Sequence, residues 1–327
     1  MTKTEIARKY RQEYGIEMPT LKLARIMYGK ENLTFKNVEE CRTFLRAIEG
    51  KSWGVKPPNV LKVEERPKNP YNLPESYQEK REPLQLPLTC NNILLISDLH
   101  IPYHDIDAIT IALEYGVEHK VNTIFINGDL IDNHKVSRFE SDPKKRSVKQ
   151  EFDATKQFLV ALRQIFPNAE IYWLKGNHCV RWEKFLLQKV QEIWDDPYFQ
   201  LEERLRLNEE RIHLIDDKVL VKAGKLAITH GHHIFKGIFT PVSPARGAYT
   251  KAKQSVIVGH LHRPSHHVES DMESNINAAW STGCMCQIKM DYSPLVSNSL
   301  HGFAHILVES NGNFTVKNYS IINGKLH

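Results

Sequence analysis

The chain of 327 residues has the composition of an ordinary globular protein, with 41% hydrophobic and 25% charged residues. No apolar run approaches the roughly 18 residues that span a bilayer, and the polar start MTKTEIARKY lacks the apolar segment of a signal peptide. These features argue against a membrane-spanning or secreted protein, so we expect a cytoplasmic protein with no membrane partner.

A small helical domain is predicted over residues 1–56. Apolar residues recur at helical spacing in residues 2–14, a second helix begins after Pro19, and a third ends at Gly50. Residues 1–82 hold 17 Lys and Arg against 12 Asp and Glu, which accounts for the whole net charge of +5. Three short basic helices resemble a helix-turn-helix domain and favour a nucleic-acid partner. The alternative is a small packing or oligomerisation domain.

Residues 57–90 form a predicted linker rich in proline, and residues 91–327 a predicted second domain. In this domain the buried strands ILLIS, TIFIN and EIYWL alternate with amphipathic helices, a pattern typical of a sheet with parallel strands. Shorter strands follow after Ile212, which predicts a second sheet packed on the first. The predicted fold class is therefore α/β, with two sheets in a sandwich.

Short polar clusters follow five of the predicted strands. Ligand sites in open α/β sheets form at the carboxyl ends of strands, so we expect these clusters to converge on one edge. Their carboxylate, imidazole and amide groups suit divalent metals such as Mn, Fe, Zn or Ni, and a carboxylate can bridge two of them. The clusters are Asp98-Leu99-His100, Gly128-Asp129-Leu130-Ile131-Asp132, Gly176-Asn177-His178, His230-Gly231-His232 and Gly259-His260-Leu261-His262.

The order DxH, GDxxD, GNH, H and GHxH resembles the calcineurin-like metallophosphoesterase superfamily, and within it the phosphoesterases of bacteriophages. The similarity runs from about Ile93 to about Val308. It implies an αββα sandwich of two mixed sheets flanked by helices. It also implies two divalent ions, with Mn as the first choice and Fe, Zn, Ni or Mg as alternatives. In this resemblance Asp98, His100 and His262 bind the first ion, Asn177, His230 and His260 bind the second, Asp129 bridges them, and His178 is the catalytic residue beside them.

The sequence departs from this family at Cys179, where the family carries Asp or Glu directly after GNH. The absence of that carboxylate leaves the orientation of His178 open, and a partner elsewhere in the chain could substitute for it. We expect Asp132 to orient one of the ligand histidines. Arg138 and Arg181 are candidates for binding a substrate phosphate, and the alternative for each is an arginine in a surface salt bridge.

Three functions remain open at this point. The leading hypothesis is a metal-dependent phosphodiesterase or nuclease that acts on nucleic acid, in the host cytoplasm if a phage encodes it. The first alternative is a phosphatase for a small nucleotide or a phosphoprotein. The second is a non-enzymatic metal-binding module, against which the complete set of predicted ligands argues. The sequence assigns no oligomeric state.

Overall fold

The computed structural model describes residues 1–15, 17–50, 69–77, 81–137, 147–235, 242–289 and 297–327. The chain separates into two compact units, Met1–Gln78 and Glu79–His327. In the described part of the chain, no helix combines the length and the apolar character that crossing a bilayer requires.

The first unit forms the three helices expected from the sequence. The first helix begins with a capping box, in which the Thr2 side chain accepts from the Glu5 amide and the Glu5 side chain accepts from the Thr2 amide. The unit has a core of its own, to which Tyr10, Met27 and Leu45 contribute. The helices are α1 (Lys3–Tyr14), α2 (Thr20–Lys30) and α3 (Val38–Ile48).

The second unit alternates strands and helices in its first half and consists mainly of strands after residue 212. Its strands are β1 (Leu84–Gln85), β2 (Asn92–Ile96), β3 (Thr123–Asn127), β4 (Glu170–Leu174), β5 (Ile212–Ile215), β6 (Val221–Ala223), β7 (Leu226–Ile228), β8 (Val256–Val258), β9 (Ser265–Ser270), β10 (Ile276–Ser281), β11 (His301–Val308), β12 (Phe314–Ile322) and β13 (Lys325–Leu326). Its α-helices are α4 (Ile106–Glu118), α5 (Val148–Ile165), α6 (Val180–Lys189), α7 (Leu201–Leu205) and α8 (Pro244–Ala252).

These strands form two mixed sheets. One sheet has the order β13-β12-β11-β2-β3-β4-β5, in which β2 to β5 run parallel and β11 joins β2 antiparallel. The other has the order β1-β6-β7-β8-β10-β9, with β7, β8 and β10 parallel. Because parallel neighbours end at the same edge, the loops after β2, β3 and β4 lie together, as do those after β7 and β8.

Alternate residues of β2 show how the layers are built. Leu94 and Ile96 pack among the helices outside the first sheet, whereas Ile93 and Leu95 pack between the two sheets. Ile257 and Trp280 reach the same inner layer from the second sheet. A further cluster packs α8 against the outer face of that second sheet. The predicted αββα sandwich is thereby confirmed.

The first strand of the second unit lies inside the segment predicted as a linker. Leu84 and Gln85 pair in parallel with Val221 and Lys222, and Leu86 is buried in the layer between the sheets. The second unit therefore begins before residue 91, because apolar side chains within the proline-rich segment complete a sheet edge. Residues 51–68 and 78–80, which include much of the predicted linker, lie outside the described residues.

Candidate metal centre

The polar clusters that follow the strands meet at one edge of the sandwich. They stand at the carboxyl ends of β2, β3 and β4 in one sheet and of β7 and β8 in the other. Both sheets therefore contribute side chains to a single site. The structure brings together every residue predicted as a metal ligand, namely Asp98, His100, Asp129, Asn177, His230, His260 and His262.

The first group of donors surrounds Asp98. The ligand atoms of Asp98, His100 and Asp129 lie within 4.8 Å of one another. Nε2 of His262 lies 3.2 Å from Nε2 of His100 and 3.2 Å from Oδ1 of Asp98. That oxygen is buried and accepts no hydrogen bond within the described ranges. A buried carboxylate oxygen that faces imidazole nitrogens fits a shared divalent cation, because a bound ion would compensate its burial.

The second group surrounds Asp129. The ligand atoms of Asp129, His230 and His260 again lie within 4.8 Å of one another. Nε2 of His230 lies 3.0 Å from Oδ2 of Asp129 and 3.3 Å from Oδ1 of Asn177. Asp129 thus belongs to both groups. Two groups of carboxylate, imidazole and amide donors that share one carboxylate fit a pair of divalent ions.

The backbone holds many of these side chains in the left-handed region, which L residues rarely adopt. Such conformations cost on the order of 1–3 kcal/mol each and persist only where the surroundings enforce them. Their concentration at these strand ends indicates that the loops serve the site at the expense of local stability. The φ angles lie between 44° and 69° in Asp98, His100, Asp129, His260 and His262.

Two glycines allow the clusters to approach one another. A Cβ on Gly176 would lie 2.2 Å from Oδ1 of Asp129, and one on Gly128 would lie 2.1 Å from Nδ1 of His230. Gly128 also has a φ of 86°, where a side chain is strained. Glycine is therefore required at both positions, because proposed metal ligands lie too close to leave room for a side chain.

Hydrogen-bond acceptors fix the ring nitrogens that face the centre. Nδ1 of His100 lies 2.8 Å from Oδ1 of Asp132, and Nδ1 of His230 lies 2.8 Å from the backbone oxygen of Asn127. Since neither acceptor carries a proton, each Nδ1 donates one and each Nε2 is the ring nitrogen that faces the centre. Partners of this kind orient metal-binding histidines in proteins.

Asp132 also orients His178, the residue predicted to be catalytic. The same Oδ1 of Asp132 lies 2.7 Å from Nδ1 of His178. Nε2 of His178 lies 4.0 Å from Oδ2 of Asp129 and 2.9 Å from Nη2 of Arg181, so the ring stands beside the donor groups with a cationic side chain at its free nitrogen. Asp132 supplies the orienting carboxylate that the sequence lacks at Cys179.

Cys179 itself is buried at the start of α6. Burial, reinforced by the charge of Asp129, raises the pKa of its thiol to about 12. A thiol of this kind forms almost no thiolate at neutral pH, and the thiolate is the nucleophile in cysteine chemistry. Cys179 therefore packs behind the site and takes no part in the chemistry.

Arg181 lies at the rim of the site. Its Nη2 is 2.9 Å from Nε2 of His178, and its Nη1 donates to the backbone oxygen of Asp132 at 3.0 Å. A guanidinium has donors only, so Nε2 of His178 is the acceptor in this contact. Arg138, the other predicted phosphate-binding residue, lies outside the described residues, and its assignment stays a prediction.

Burial and neighbouring charge shift the imidazole pKa values in different directions. Burial lowers the pKa of His178, and the charge of Asp129 offsets this only in part. Burial likewise lowers the pKa of His260, to about 4. In His230, burial acts in the same direction, but the charges of Asp129 and Asp98 outweigh it and raise the pKa to about 9. His178 and His260 are therefore neutral at pH 7, and each has one unprotonated ring nitrogen.

Some residues close to the centre carry no signal in the sequence. Glu151 on α5 is buried and accepts from the backbone amides of Asn133 and His134. Sγ of Cys286 lies 3.9 Å from Nδ1 of His262, although the Cys284-x-Cys286 pattern predicts only packing in the second sheet. Both contacts join positions that are distant in the chain or have no shared motif, so local patterns could not reveal them.

The chain is similar in sequence or fold to several known proteins. The model of the family called calcineurin-like phosphoesterase matches residues 92–283. The Gene 54 protein of Mycobacterium phage L5 is 26% identical over 179 residues, which cover 52% of this chain and 69% of that protein. Among solved structures, the Escherichia coli phosphoesterase Yfce is 13% identical with a TM-score of 0.33, over 69% of this chain and 98% of its own. Vacuolar Protein Sorting 29 from Cryptosporidium parvum is 17% identical with a TM-score of 0.40, over 72% of this chain and 94% of its own.

The family match spans more than half of the chain and includes every cluster of the centre, from Asp98 to His262. Members of this family depend on two metal ions, and the two donor groups around Asp129 form the corresponding candidate site here. The chain therefore belongs to the calcineurin-like phosphoesterase family, and it is a metal-dependent hydrolase of phosphoric esters.

Proposed function

We propose that this hydrolase is a phosphodiesterase that cleaves nucleic acid with two divalent ions, Mn being the first choice. The observation that carries the proposal is the Asp129 carboxylate, which belongs to two groups of donors at once. When bound, two such ions lower the pKa of a water molecule and stabilise the charge that develops on the phosphoryl oxygens. Asp98, His100 and His262 would hold one ion, Asn177, His230 and His260 the other, and Asp129 both.

His178 would move the proton in this reaction. Its Nδ1 proton is held by Asp132 at 2.7 Å, so proton transfer has to occur at Nε2, on the side that faces the donor groups. Burial lowers the pKa of His178, so Nε2 carries no proton at pH 7 and has to take one up before it passes it to a leaving alkoxide. The residue thus has the orientation that a proton donor to the leaving group needs.

Arg181 would bind a non-bridging oxygen of the substrate phosphate. Its side chain is only 18% exposed, and the guanidinium is held at the rim by its hydrogen bond to the backbone of Asp132. A phosphate is a stronger acceptor for a guanidinium than an imidazole nitrogen. A bound substrate would therefore take over the Nη2 contact with His178 and free Nε2 for its proton. Arg138 remains a second candidate for the same role.

Nucleic acid is the substrate class that the first unit favours. Helix α2 contains no acidic residue, and its Lys22, Arg25 and Lys30 are all exposed. Lys22 and Arg25 are three residues apart and so lie on the same side of the helix, opposite the buried Met27. Exposed cations on one helix suit the phosphates of a nucleic acid. The phage relative is in keeping with action in the cytoplasm of an infected host.

The proposal is tested by comparing hydrolysis of bis-p-nitrophenyl phosphate, a diester, with that of p-nitrophenyl phosphate, a monoester. The protein is stripped of metal and reloaded with Mn²⁺, Ni²⁺, Zn²⁺ or Mg²⁺. Asp129→Ala removes the shared carboxylate, and Asp271→Ala, an exposed aspartate in the β9–β10 turn, is the matched control.

We expect metal-dependent cleavage of the diester that Asp129→Ala abolishes and Asp271→Ala retains. DNA and RNA would then be tested directly with the same variants. Cleavage of the monoester alone would favour the phosphatase for a small nucleotide or a phosphoprotein. Absence of hydrolysis of either ester by protein with two bound metals would contradict the phosphodiesterase.

A further inference from the structure

A second pair of histidines lies beside the proposed metal centre without belonging to it. His232 and His233 stand in the loop after β7, two and three positions beyond His230, and Asp217 stands in the turn after β5. Nε2 of His232 lies 3.2 Å from Oδ2 of Asp217, and Nε2 of His233 lies 2.9 Å from the same oxygen. Two imidazoles from one loop thus converge on a single carboxylate oxygen from another.

The spacing of these atoms suits a bound cation. An ion held by imidazole and carboxylate at about 2.0–2.2 Å has neighbouring ligand atoms roughly 3–3.6 Å apart. The three ligand atoms of Asp217, His232 and His233 lie within 4.8 Å of one another. The centroids of the two imidazole rings lie 3.9 Å apart and the rings are inclined by 42°, so the rings are tilted toward each other and are not stacked in parallel.

Burial gives this cluster a fixed side and an open side. The side chains of Asp217 and His232 are 9% and 11% exposed, whereas that of His233 is 40% exposed. The carboxylate and one imidazole are therefore held by their surroundings, and the outer imidazole is the ligand with room to adjust. Three protein ligands on one side leave coordination positions free toward solvent, as in metal sites that exchange a ligand.

The cluster is separate from the pair of donor groups around Asp129. The ring of His232 lies 5.4 Å from that of His230 and 6.2 Å from that of His260, measured between centroids. Its Nε2 faces Asp217, whereas Nε2 of His230 faces Asp129. An ion bound at Asp217 would therefore have ligands of its own.

We propose that Asp217, His232 and His233 form a third metal site, which binds a borderline divalent cation such as Zn²⁺, Ni²⁺ or Fe²⁺. Two imidazoles and one carboxylate are a donor set that suits these ions and leaves open positions on them. The site adds a cation at the edge of the metal centre, on the side of His230 and His260. Its open positions suit an anionic oxygen ligand.

The competing interpretation is a hydrogen-bonded triad, in which both imidazoles donate to Asp217 and no ion binds. Metal content separates the two. Full-length protein is stripped with chelator, reloaded with Zn²⁺, desalted, and analysed for zinc per chain. His233→Ala removes an exposed ligand at little risk to folding, and Asp217→Asn removes the charged ligand at constant shape. His213→Ala is the matched control, because His213 is an exposed imidazole paired with one carboxylate, that of Glu170 at 3.2 Å.

We expect wild type to hold one zinc ion more than His233→Ala and than Asp217→Asn, and the same number as His213→Ala. Equal zinc content in wild type and the two site variants would overturn the third site. Zinc held by the dinuclear centre is measured separately, as the difference in zinc content between wild type and Asp129→Ala. If the two-metal assignment were wrong, that difference would change, whereas the difference between wild type and His233→Ala would stay the same.

Discussion

Asp132 uses one carboxylate oxygen to hold two imidazoles of different purpose. Oδ1 accepts from Nδ1 of His100 at 2.8 Å and from Nδ1 of His178 at 2.7 Å. Burial would raise the pKa of Asp132, but the hydrogen bonds from the two histidines lower it well below its usual range. The carboxylate therefore stays ionised and keeps both Nε2 atoms turned toward the centre. A change at Asp132 would affect metal binding and proton transfer together, whereas a change at His178 should affect proton transfer alone.

Replacing His178 tests this separation of roles. We expect His178→Ala to retain both metals and to slow diester hydrolysis by roughly 10²–10⁴-fold, the usual contribution of a positioned proton donor. The reason is that Nε2 of His178 lies 2.9 Å from the guanidinium of Arg181, a contact that a nitrogen bound to a metal ion would not make. The measurements are kcat and metal content of the same preparation.

Asp132→Asn serves as the comparison, since it should weaken metal affinity about 10–100-fold in addition to lowering kcat. Asp153→Asn, on the exposed side of α5, is the neutral control. Loss of a metal from His178→Ala would show that His178 is a ligand, contrary to its assignment here.

Glu151 makes stability depend on pH. Burial raises the pKa of its carboxyl group from 4.5 to about 7, and the charge of Asp132 acts in the same direction. Between these two values the unfolded chain has released a proton that the folded protein keeps, so stability falls as pH rises through this window. Above pH 7 the folded protein bears the full cost of a buried charge, on the order of 2–3 kcal/mol.

We therefore expect Glu151→Gln to raise the free energy of unfolding by about 3 kcal/mol at pH 8 and to change it little at pH 5. Gln has the shape of the protonated carboxyl group and can still accept from an amide of Asn133 or His134. Urea titrations of metal-loaded protein at both pH values measure the difference. An equal effect at pH 5 and pH 8 would mean that the carboxyl group does not titrate in this range.

At the scale of elements, the turn after β4 determines how closely two strand ends approach. A Cβ at Gly176 would meet Oδ1 of Asp129 at 2.2 Å and the backbone nitrogen of Asp129 at 2.6 Å. A backbone atom cannot move aside as a flexible side chain can, so the turn has to shift away from β3. The loops after β3 and β4 can therefore approach this closely because residue 176 has no side chain.

We expect Gly176→Ala to lower diester hydrolysis by at least roughly 10²-fold, because a displacement of about 1 Å at the ligands is enough for such a loss. The steric cost should reduce stability by about 1–3 kcal/mol. Gly29→Ala is the matched control, since no atom lies within 4 Å of its added Cβ on α2. That variant should keep full activity. Diester hydrolysis and thermal unfolding are measured for both variants. A fully active Gly176→Ala protein would disprove the close approach of Gly176 to Asp129.

The elements differ in how well the sequence predicts them. The helices α4 and α5 and the strands β2, β3 and β4 were predicted because their apolar residues repeat with the periods of buried helices and strands. The strand β1 was missed, because it has only two residues and lies inside a proline-rich segment.

The candidate site was likewise predicted from the sequence only in part. Its motifs were visible because each follows a strand directly, as Asn177 follows β4. The shared contact of Asp132 with His178 and the support from Glu151 were not predictable in detail, since they depend on how separate loops pack. Sequence motifs thus identify the donors, and the tertiary structure identifies what orients them.

At the scale of the whole molecule, the chain has two units with separate cores. The core of the first unit is formed by residues of α1, α2 and α3 together with the segment between α2 and α3. Substitution of the exposed basic residues of α2 would alter the proposed contact with nucleic acid and leave every proposed metal ligand of the second unit in place. Binding and hydrolysis can therefore be measured as separate quantities.

We expect the affinity for DNA or RNA to fall steeply with salt concentration. Lys22→Gln combined with Arg25→Gln should reduce the slope of log K against log salt by about 2 for duplex DNA, since each phosphate that the protein neutralises contributes about 0.9. Lys317→Gln combined with Lys325→Gln removes the same charge from exposed positions of the second unit and is the control. Hydrolysis of the small diester should be unchanged in both double variants. Equal slopes for wild type and the α2 variant would exclude α2 as the binding surface.

The proposed ligands come from two different sheets, with Asp98, His100, Asp129 and Asn177 on one side and His230, His260 and His262 on the other. Cations held between them would act as reversible crosslinks at one end of the sandwich, whereas the rest of the interface is joined by apolar packing together with hydrogen bonds such as that from Asn318 to the backbone of Ser281. Chelation would then cut these crosslinks and leave the fold in place. The loops after β7 and β8 would then be joined to those after β2 and β3 by hydrogen bonds such as that from the His260 amide to Asp98, so metal supply would control the rigidity of this end of the sandwich as well as its chemistry.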